Sequence, residues 1–449
     1  MAGNLFSDFK KVSSKEWKQK IQVDLKGGDY QSLITQTLEK IDIKPFYHYD
    51  DYIAFKQVAP QHFSIVQELK INDEKIARKI ARNALDKGAQ KFTFHFNKAF
   101  DISQLIEGLN PEQLIFKADM LEPDFITDLY QKTAGQPPIL LDPVGHFART
   151  GNWYQNEHKD FEKLKKLQDF FPADFPFLEI RSDVYKNAGA SITQELAYAL
   201  SQAVEYLEKL SPEVASQMIF NFATGSHYFF EIAKLKAFRE LWQLILHEYD
   251  ANVEAVIYAQ PGLRNKTIFD PYVNMLRTTM EMMSSILGGA DYVANMPYDF
   301  VYKKSNEFSE RIARNQLIIL KEEAGFEQAM KASEGDYYLE EISYRIAQKA
   351  LEIFKQVEAN GGLLKQLYKG KIQQKIAETA QKEQEDYDSG KLVLVGSNKY
   401  INKDEKVEKI NVYPFLKKRS GQTLIRPIVP KRLSEKTEME RLKSLGITL

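Results

Sequence analysis

From about residue 75 onward, short apolar runs alternate with stretches whose apolar residues recur every three or four positions. The runs lie at 92–96 (FTFHF), 114–117 (LIFK), 139–142 (ILLD), 177–180 (FLEI), 218–222 (MIFNF), 253–258 (VEAVIY) and 291–295 (DYVAN), with a weaker eighth at 337–340 (YYLE). Their length predicts strands, and the longer periodic segments between them predict amphipathic helices, among them 76–87 and 274–286. The clearest helix follows the fourth run, where Leu196, Leu200, Ala203, Leu207 and Leu210 recur at spacings of four and three. Ser191 and Gln194 form a capping-box pair at its start. Strands alternating with helices imply a parallel sheet, and this many units over about 260 residues match a (β/α)8 barrel, with an open doubly wound sheet as the alternative.

The flanks read differently. Residues 1–75 form an arm and lead-in, in which Trp17 and Phe46-Tyr47-His48-Tyr49 are strung between charges and glycines. Such a segment cannot bury itself and must lie along another surface, its own barrel or a partner. The barrel is expected over 76–362. Residues 363–449 form a charged helical and loop extension.

Composition narrows the chemistry. The 449 residues are 43% hydrophobic and 27% charged, with net charge −1, which gives no reason to expect nucleic acid or a polybasic membrane surface. Without cysteine there is neither a disulfide nor a thiolate nucleophile. The N-terminus lacks the apolar core of a secretory signal, and no run approaches the ~18 apolar residues of a membrane span. A cytoplasmic protein is the expectation.

The seven histidines are His48, His62, His95, His146, His158, His227 and His247. None is spaced as a zinc pair, and GxSxG, GxxxxGK[ST] and strand-following GxGxxG patterns are missing. His146 and His227 follow strand ends and are candidates to face a barrel mouth, whereas His95 and His247 read as structural. Of the carboxylates near strand ends, Asp142, Asp183 and Glu195, the last is explained by its place in the first turn of a helix. Asp270 reads as a helix cap. Ala188-Gly189-Ala190-Ser191 and Gly288-Gly289-Ala290 suit close backbone packing, or a pore for a thin ligand.

Several ordered segments together resemble the methylmalonyl-CoA mutase family, and in particular the small, or beta, subunit of the heterodimeric bacterial enzyme. They are NAGASITQELAYAL, GSHYFFEIAKLKAFRELW, DPYVNMLRTTMEMMSSILGGAD, FSERIARNQLIILKEEAG, GDYYLEEISYRIAQKALEIFKQVEANGG, WKQKIQVDLKG and IKPFYHYDD. The resemblance implies a TIM-type barrel threaded by coenzyme A. It also implies adenosylcobalamin, held by a separate flavodoxin-like domain through the histidine of a DxHxxG motif.

The residues that carry the family's chemistry depart from its pattern. Where active subunits read close to GYHMQEAGAT, this chain has SDVYKNAGAS, which puts Val184 at the histidine. Against PWTIRQY it has HFSIVQE, which puts Glu68 at the tyrosine and Val66 at the arginine. The SQTSG-like loop corresponds to Ala259-Gln260-Pro261-Gly262-Leu263. The residues two before the histidines are Phe46, Pro60, Thr93, Val144, Asn156, Gly225 and Ile245, none of them aspartate. The segment PKRLSEKTEMERL resembles the linker into the cobalamin domain, so the expected chain carries no such domain.

The first reading is therefore a non-catalytic subunit with no catalytic, cofactor-binding or metal-ligating residue of its own. It supports a homologous catalytic large subunit that holds the adenosylcobalamin. A remnant acyl-CoA pocket is expected at Arg181, Tyr185, Asn187, His227 and Gln260. One alternative is the catalytic barrel of a split acyl-CoA mutase whose cobalamin domain is a separate polypeptide. Another is an unrelated barrel lyase or aldolase using Lys117.

Overall fold

A computed structural model describes residues 9–51, 60–405, 409–415 and 421–447. Eight parallel strands close into a barrel. In chain order they are β1 (Ser64–Lys70), β2 (Lys91–Phe96), β3 (Leu114–Ala118), β4 (Ile139–Leu141), β5 (Leu178–Arg181), β6 (Met218–Thr224), β7 (Val256–Pro261) and β8 (Tyr292–Ala294). β8 closes on β1 through Tyr292↔Ser64, Val293↔Ile65 and Ala294↔Val66. The expected (β/α)8 fold is thus present.

Two details of the strand assignment are corrected. β1 lies at 64–70, within the segment read as lead-in. Residues 337–340 are not a strand but the start of the helix Tyr337–Ala359, whose first turn is capped by Asp336 accepting from the Leu339 N–H at 2.7 Å. Aromatic residues there looked like a strand because they pack outward against the arm, where the Tyr47 and Tyr338 rings meet at 5.1 Å.

Alternation along the strands sorts side chains into two cores. Outward residues such as Ile65, Phe92, Phe94, Phe116, Ile180, Phe220 and Val293 join the main core beneath the helices. Inward residues Val66, Ile115, Leu140, Ile219, Tyr258 and Ala294 form a smaller cluster that fills the bore.

The helix Ile192–Lys209 begins with the predicted capping box of Ser191 and Gln194. Its N-terminus has a second anion. Glu39, from the N-terminal arm, accepts from the backbone N–H groups of Ile192 (2.7 Å) and Thr193 (3.0 Å) and from the Thr193 hydroxyl (2.8 Å). Part of the arm therefore lies along this chain's own barrel.

The long helix Tyr337–Ala359 packs over Ile192–Lys209 and Tyr228–His247 as an additional layer. The helix Lys371–Asp388, which follows the short helix Gly362–Tyr368, rests on the 188–191 turn. Gly189 there has φ +103°, and a Cβ on it would sit 2.4 Å from the Ala380 Cβ, so this small-residue run serves close packing. Beyond it, residues 431–438 lock onto the loop after β7. The Arg264 guanidinium donates to Glu383 and to the Lys431 carbonyl, the Leu433 N–H donates to the Arg264 carbonyl, and Glu438 accepts from the Ile268 N–H.

Candidate functional site

The C-terminal ends of barrel strands are where this fold places its chemistry, so the side chains that β1–β8 aim into the bore define the candidate site. Here they form a connected polar layer. Lys117 of β3 reaches across to Glu179 of β5 at 3.0 Å and to Glu68 of β1 at 3.4 Å. Its Nζ lies 3.6 Å from the Tyr258 ring centroid, on β7. The Tyr258 hydroxyl donates to Glu68 at 2.5 Å and lies 3.3 Å from the Thr93 hydroxyl. Asn221 of β6 donates to Glu179 at 2.9 Å and accepts from Gln260 at 3.2 Å. His95 Nε2 stands 3.4 Å from Glu68. Six of the eight strands contribute.

The charges are set by their neighbours. Burial alone would raise Glu68, but Lys117, His95 and the Tyr258 hydroxyl outweigh it and hold the carboxyl well below the usual carboxylate range. Burial, reinforced by the Glu68 charge, pushes the Tyr258 phenol far above its ordinary value. Glu68 thus stays ionised and Tyr258 keeps its proton, which is what a closed hydrogen-bond network requires. Lys117 stands against two carboxylates, Glu68 and Glu179.

Above this layer the residues divide. Arg181, at the end of β5, pairs with Asp183 at 3.0 Å, and this carboxylate raises the guanidinium further above its already high value. Arg181 and Gln260 stand at the mouth. Two of the other expected pocket residues, Tyr185 and Asn187, are spent on contacts within the chain. Tyr185 is fully buried, its hydroxyl donating to Gln202 at 2.7 Å and its ring 5.5 Å from that of Tyr198. Asn187 accepts from the Leu263 N–H at 2.7 Å and so holds the loop after β7. His227 precedes the helix Tyr228–His247, with its ring 4.2 Å from Phe230. Val184 is buried in the main core and offers the mouth no polar atom.

Of the carboxylates read near strand ends, Asp142 accepts from the Gly145 and Arg181 N–H groups, Gln202 and the Tyr206 hydroxyl at 2.7–3.1 Å. Burial pushes it up to about 6 despite these donors. Glu195 is buried in an ion pair with Lys234 at 3.0 Å. Asp270 is not a side-chain cap: the helix Tyr272–Leu287 starts after Pro271, and the Asp270 carbonyl accepts the Val273 N–H.

Neither the Lys117–Glu179 pair nor Tyr258 beside it was singled out from the sequence. Alternation at positions 115/117 and 256/258/260 was the available signal, since it aims these side chains to one side of their strands.

His146, after β4, stands against Asp119, which directly follows β3. Its Nδ1 is 2.9 Å from Asp119, its ring stacks on Tyr154 at 3.8 Å, and Arg149 holds the same carboxylate. His48, His62, His95 and His158 likewise stand against carboxylates, at 3.1–3.5 Å. Among the described residues, no three His, Cys, Asp or Glu side chains converge to hold a metal. No helix among them is long and apolar enough to cross a membrane.

With this geometry established, comparison with known proteins is informative. The family model for methylmalonyl-CoA mutase matches residues 135–444. The methylmalonyl-CoA mutase small subunit of Porphyromonas gingivalis is 32% identical over 446 residues, covering 89% of this chain and 71% of that protein. A methylmalonyl-CoA mutase of Cereibacter sphaeroides is 27% identical over 88% of this chain and 65% of its own length. The large subunit of Propionibacterium freudenreichii subsp. shermanii is 32% identical over 48% of this chain, but this covers only 31% of that protein. The chain therefore spans less than two thirds of the length of some relatives. The match to the family model and to the small subunit extends well beyond any single motif, and the chain belongs to the methylmalonyl-CoA mutase family.

Proposed function

We propose that this chain is a non-catalytic small subunit of methylmalonyl-CoA mutase, pairing with a catalytic large subunit that holds the adenosylcobalamin and isomerises methylmalonyl-CoA and succinyl-CoA. One observation carries the reading. The bore through which an acyl-CoA would have to pass is crossed by Lys117, Glu68, Glu179 and Tyr258, each bonded to another. Opening it would strand buried charges, which costs several kcal/mol.

The family's polar positions point the same way. Catalysis of a rearrangement needs groups placed at the reacting carbonyl. Val184 supplies none, and Glu68 is spent on the crossbar. With Tyr185 buried in the core and Val184 apolar, the reading assigns no acyl-CoA binding to this chain.

Co-expression with the large subunit from the same genome tests the proposal. The expected result is a stable complex that is active, with titration calorimetry finding no acyl-CoA site on the small chain alone. A small chain that binds methylmalonyl-CoA at micromolar concentration, or that never associates with the large subunit, overturns it.

A further inference from the structure

The outward faces of the barrel helices are not alike. On Glu74–Asp86 the exposed positions are Lys75, Ile76, Lys79, Arg82 and Asp86, one of them apolar, and on Glu157–Phe170 all but Phe170 are charged or polar. Tyr272–Leu287 is different. Its exposed positions are Tyr272, Leu276 and Met280, which are 53%, 67% and 49% exposed and fall one turn apart on one face.

The neighbouring helix, Glu307–Ile318, continues this face. Gln316 donates to the Met275 carbonyl at 2.7 Å and to the Thr279 hydroxyl at 2.7 Å, which fixes the two helices side by side. Residues one or two turns from Gln316 therefore flank the first stripe: Phe308 (52% exposed) at one end and, just past the helix, Ile319 (47%) at the other. Phe300, also 52% exposed, sits beside the Tyr272 end, where the Tyr272 and Tyr298 rings lie 5.2 Å apart. The face thus joins two helices and a loop.

On the other flank of the barrel, the chain's own helix Tyr337–Ala359 covers Ile192–Lys209 and Tyr228–His247. Among the described residues the 272–287 and 307–318 pair carries no such long helix, only the four-residue Phe326–Ala329 packed on Tyr272–Leu287.

We propose that this two-helix face is the surface on which the chain docks its mutase large subunit. The inference rests on the proposed function and adds the location. Six large apolar side chains, each about half exposed, present on the order of 600 Å² of apolar surface, as much as the largest patch on an ordinary monomer. That area is most of one side of a standard interface of roughly 800 Å² per partner. The Tyr272, Leu276 and Met280 stripe is uncharged, as interface cores are, and Arg311 stands over the Phe308 ring at 5.6 Å beside it. The occupant is the large subunit because the relatives include proteins named as the small and as the large subunit of the same mutase.

The test uses the co-expressed pair with Leu276→Asp and Met280→Asp in the small chain, and Lys79→Asp on the charged helix Glu74–Asp86 as control. Leu276 and Met280 face solvent, so far-UV circular dichroism and Tm of the isolated variants stay at the wild-type values. The expected result is a loss of at least tenfold in affinity for the large subunit with either variant, and no change with Lys79→Asp. If the wild-type pair forms and both variants bind as tightly, the location is wrong while the subunit role stands. If the variants instead turn a wild-type homodimer into monomers and leave pairing intact, a second copy covers the face and the proposal falls. If no wild-type pair forms, the subunit role itself fails.

Discussion

Lys117 is the residue on which the interior depends. It stands between Glu179 at 3.0 Å and Glu68 at 3.4 Å, with its own side chain 6% exposed. Removing it leaves two carboxylates in a poorly solvated bore. Lys117→Met is therefore expected to lower unfolding free energy by about 3–5 kcal/mol, read by urea denaturation. Adding Glu179→Gln to that variant should recover part of the loss, because one uncompensated charge goes with it.

The same site predicts a pH dependence. Glu68 is held below its ordinary value of 4.5 in the folded chain, so between the two values the unfolded chain binds more protons. This contribution to stability is complete above about pH 4.5 and is lost as the pH falls through the depressed folded value. Lys117→Met should flatten the acid limb of a stability–pH profile. A variant that keeps the wild-type slope would show that Lys117 does not govern Glu68.

At the scale of elements, the N-terminal arm and the barrel are joined by a cap. Glu39 satisfies two backbone donors at the start of Ile192–Lys209 and places negative charge at the favourable end of that helix. Glu39→Ala should cost about 1–2 kcal/mol. It should also speed proteolysis between the arm and the barrel, while Glu39→Gln, which keeps one acceptor oxygen, should cost less. Equal protease resistance in wild type and Glu39→Ala would mean that other contacts hold the arm.

Seven of the eight strands were legible as apolar runs, because β2 to β8 bury residues on both faces and therefore read as hydrophobic. β1 was not. Its sequence, SIVQELK, has a glutamine and a glutamate in the middle, and both are there for tertiary reasons. Gln67 accepts from Arg314 at 2.6 Å and Glu68 belongs to the crossbar. Local pattern cannot show that a polar residue will find its partner about 50 or 250 residues away. The site was legible in the same uneven way. Val184 and Glu68 stood out against the family motif, but Tyr185 and Asn187 are polar residues used for packing, and their partners Gln202 and Leu263 come from other elements.

For the whole molecule, the consequence is a division between scaffold and chemistry. The barrel keeps closure, helix order and register, and its C-terminal segment is pinned to the loop after β7 through Arg264 and Glu438. The bore is filled below by Val66, Ile115, Leu140 and Ile219 and crossed above by charged side chains.

The most direct measurement is turnover by the isolated chain, purified free of any large subunit and supplied with saturating methylmalonyl-CoA and adenosylcobalamin. The account predicts no succinyl-CoA above the protein-free control, with conversion appearing only once the large subunit is added. Steady production of succinyl-CoA by the chain alone would contradict it.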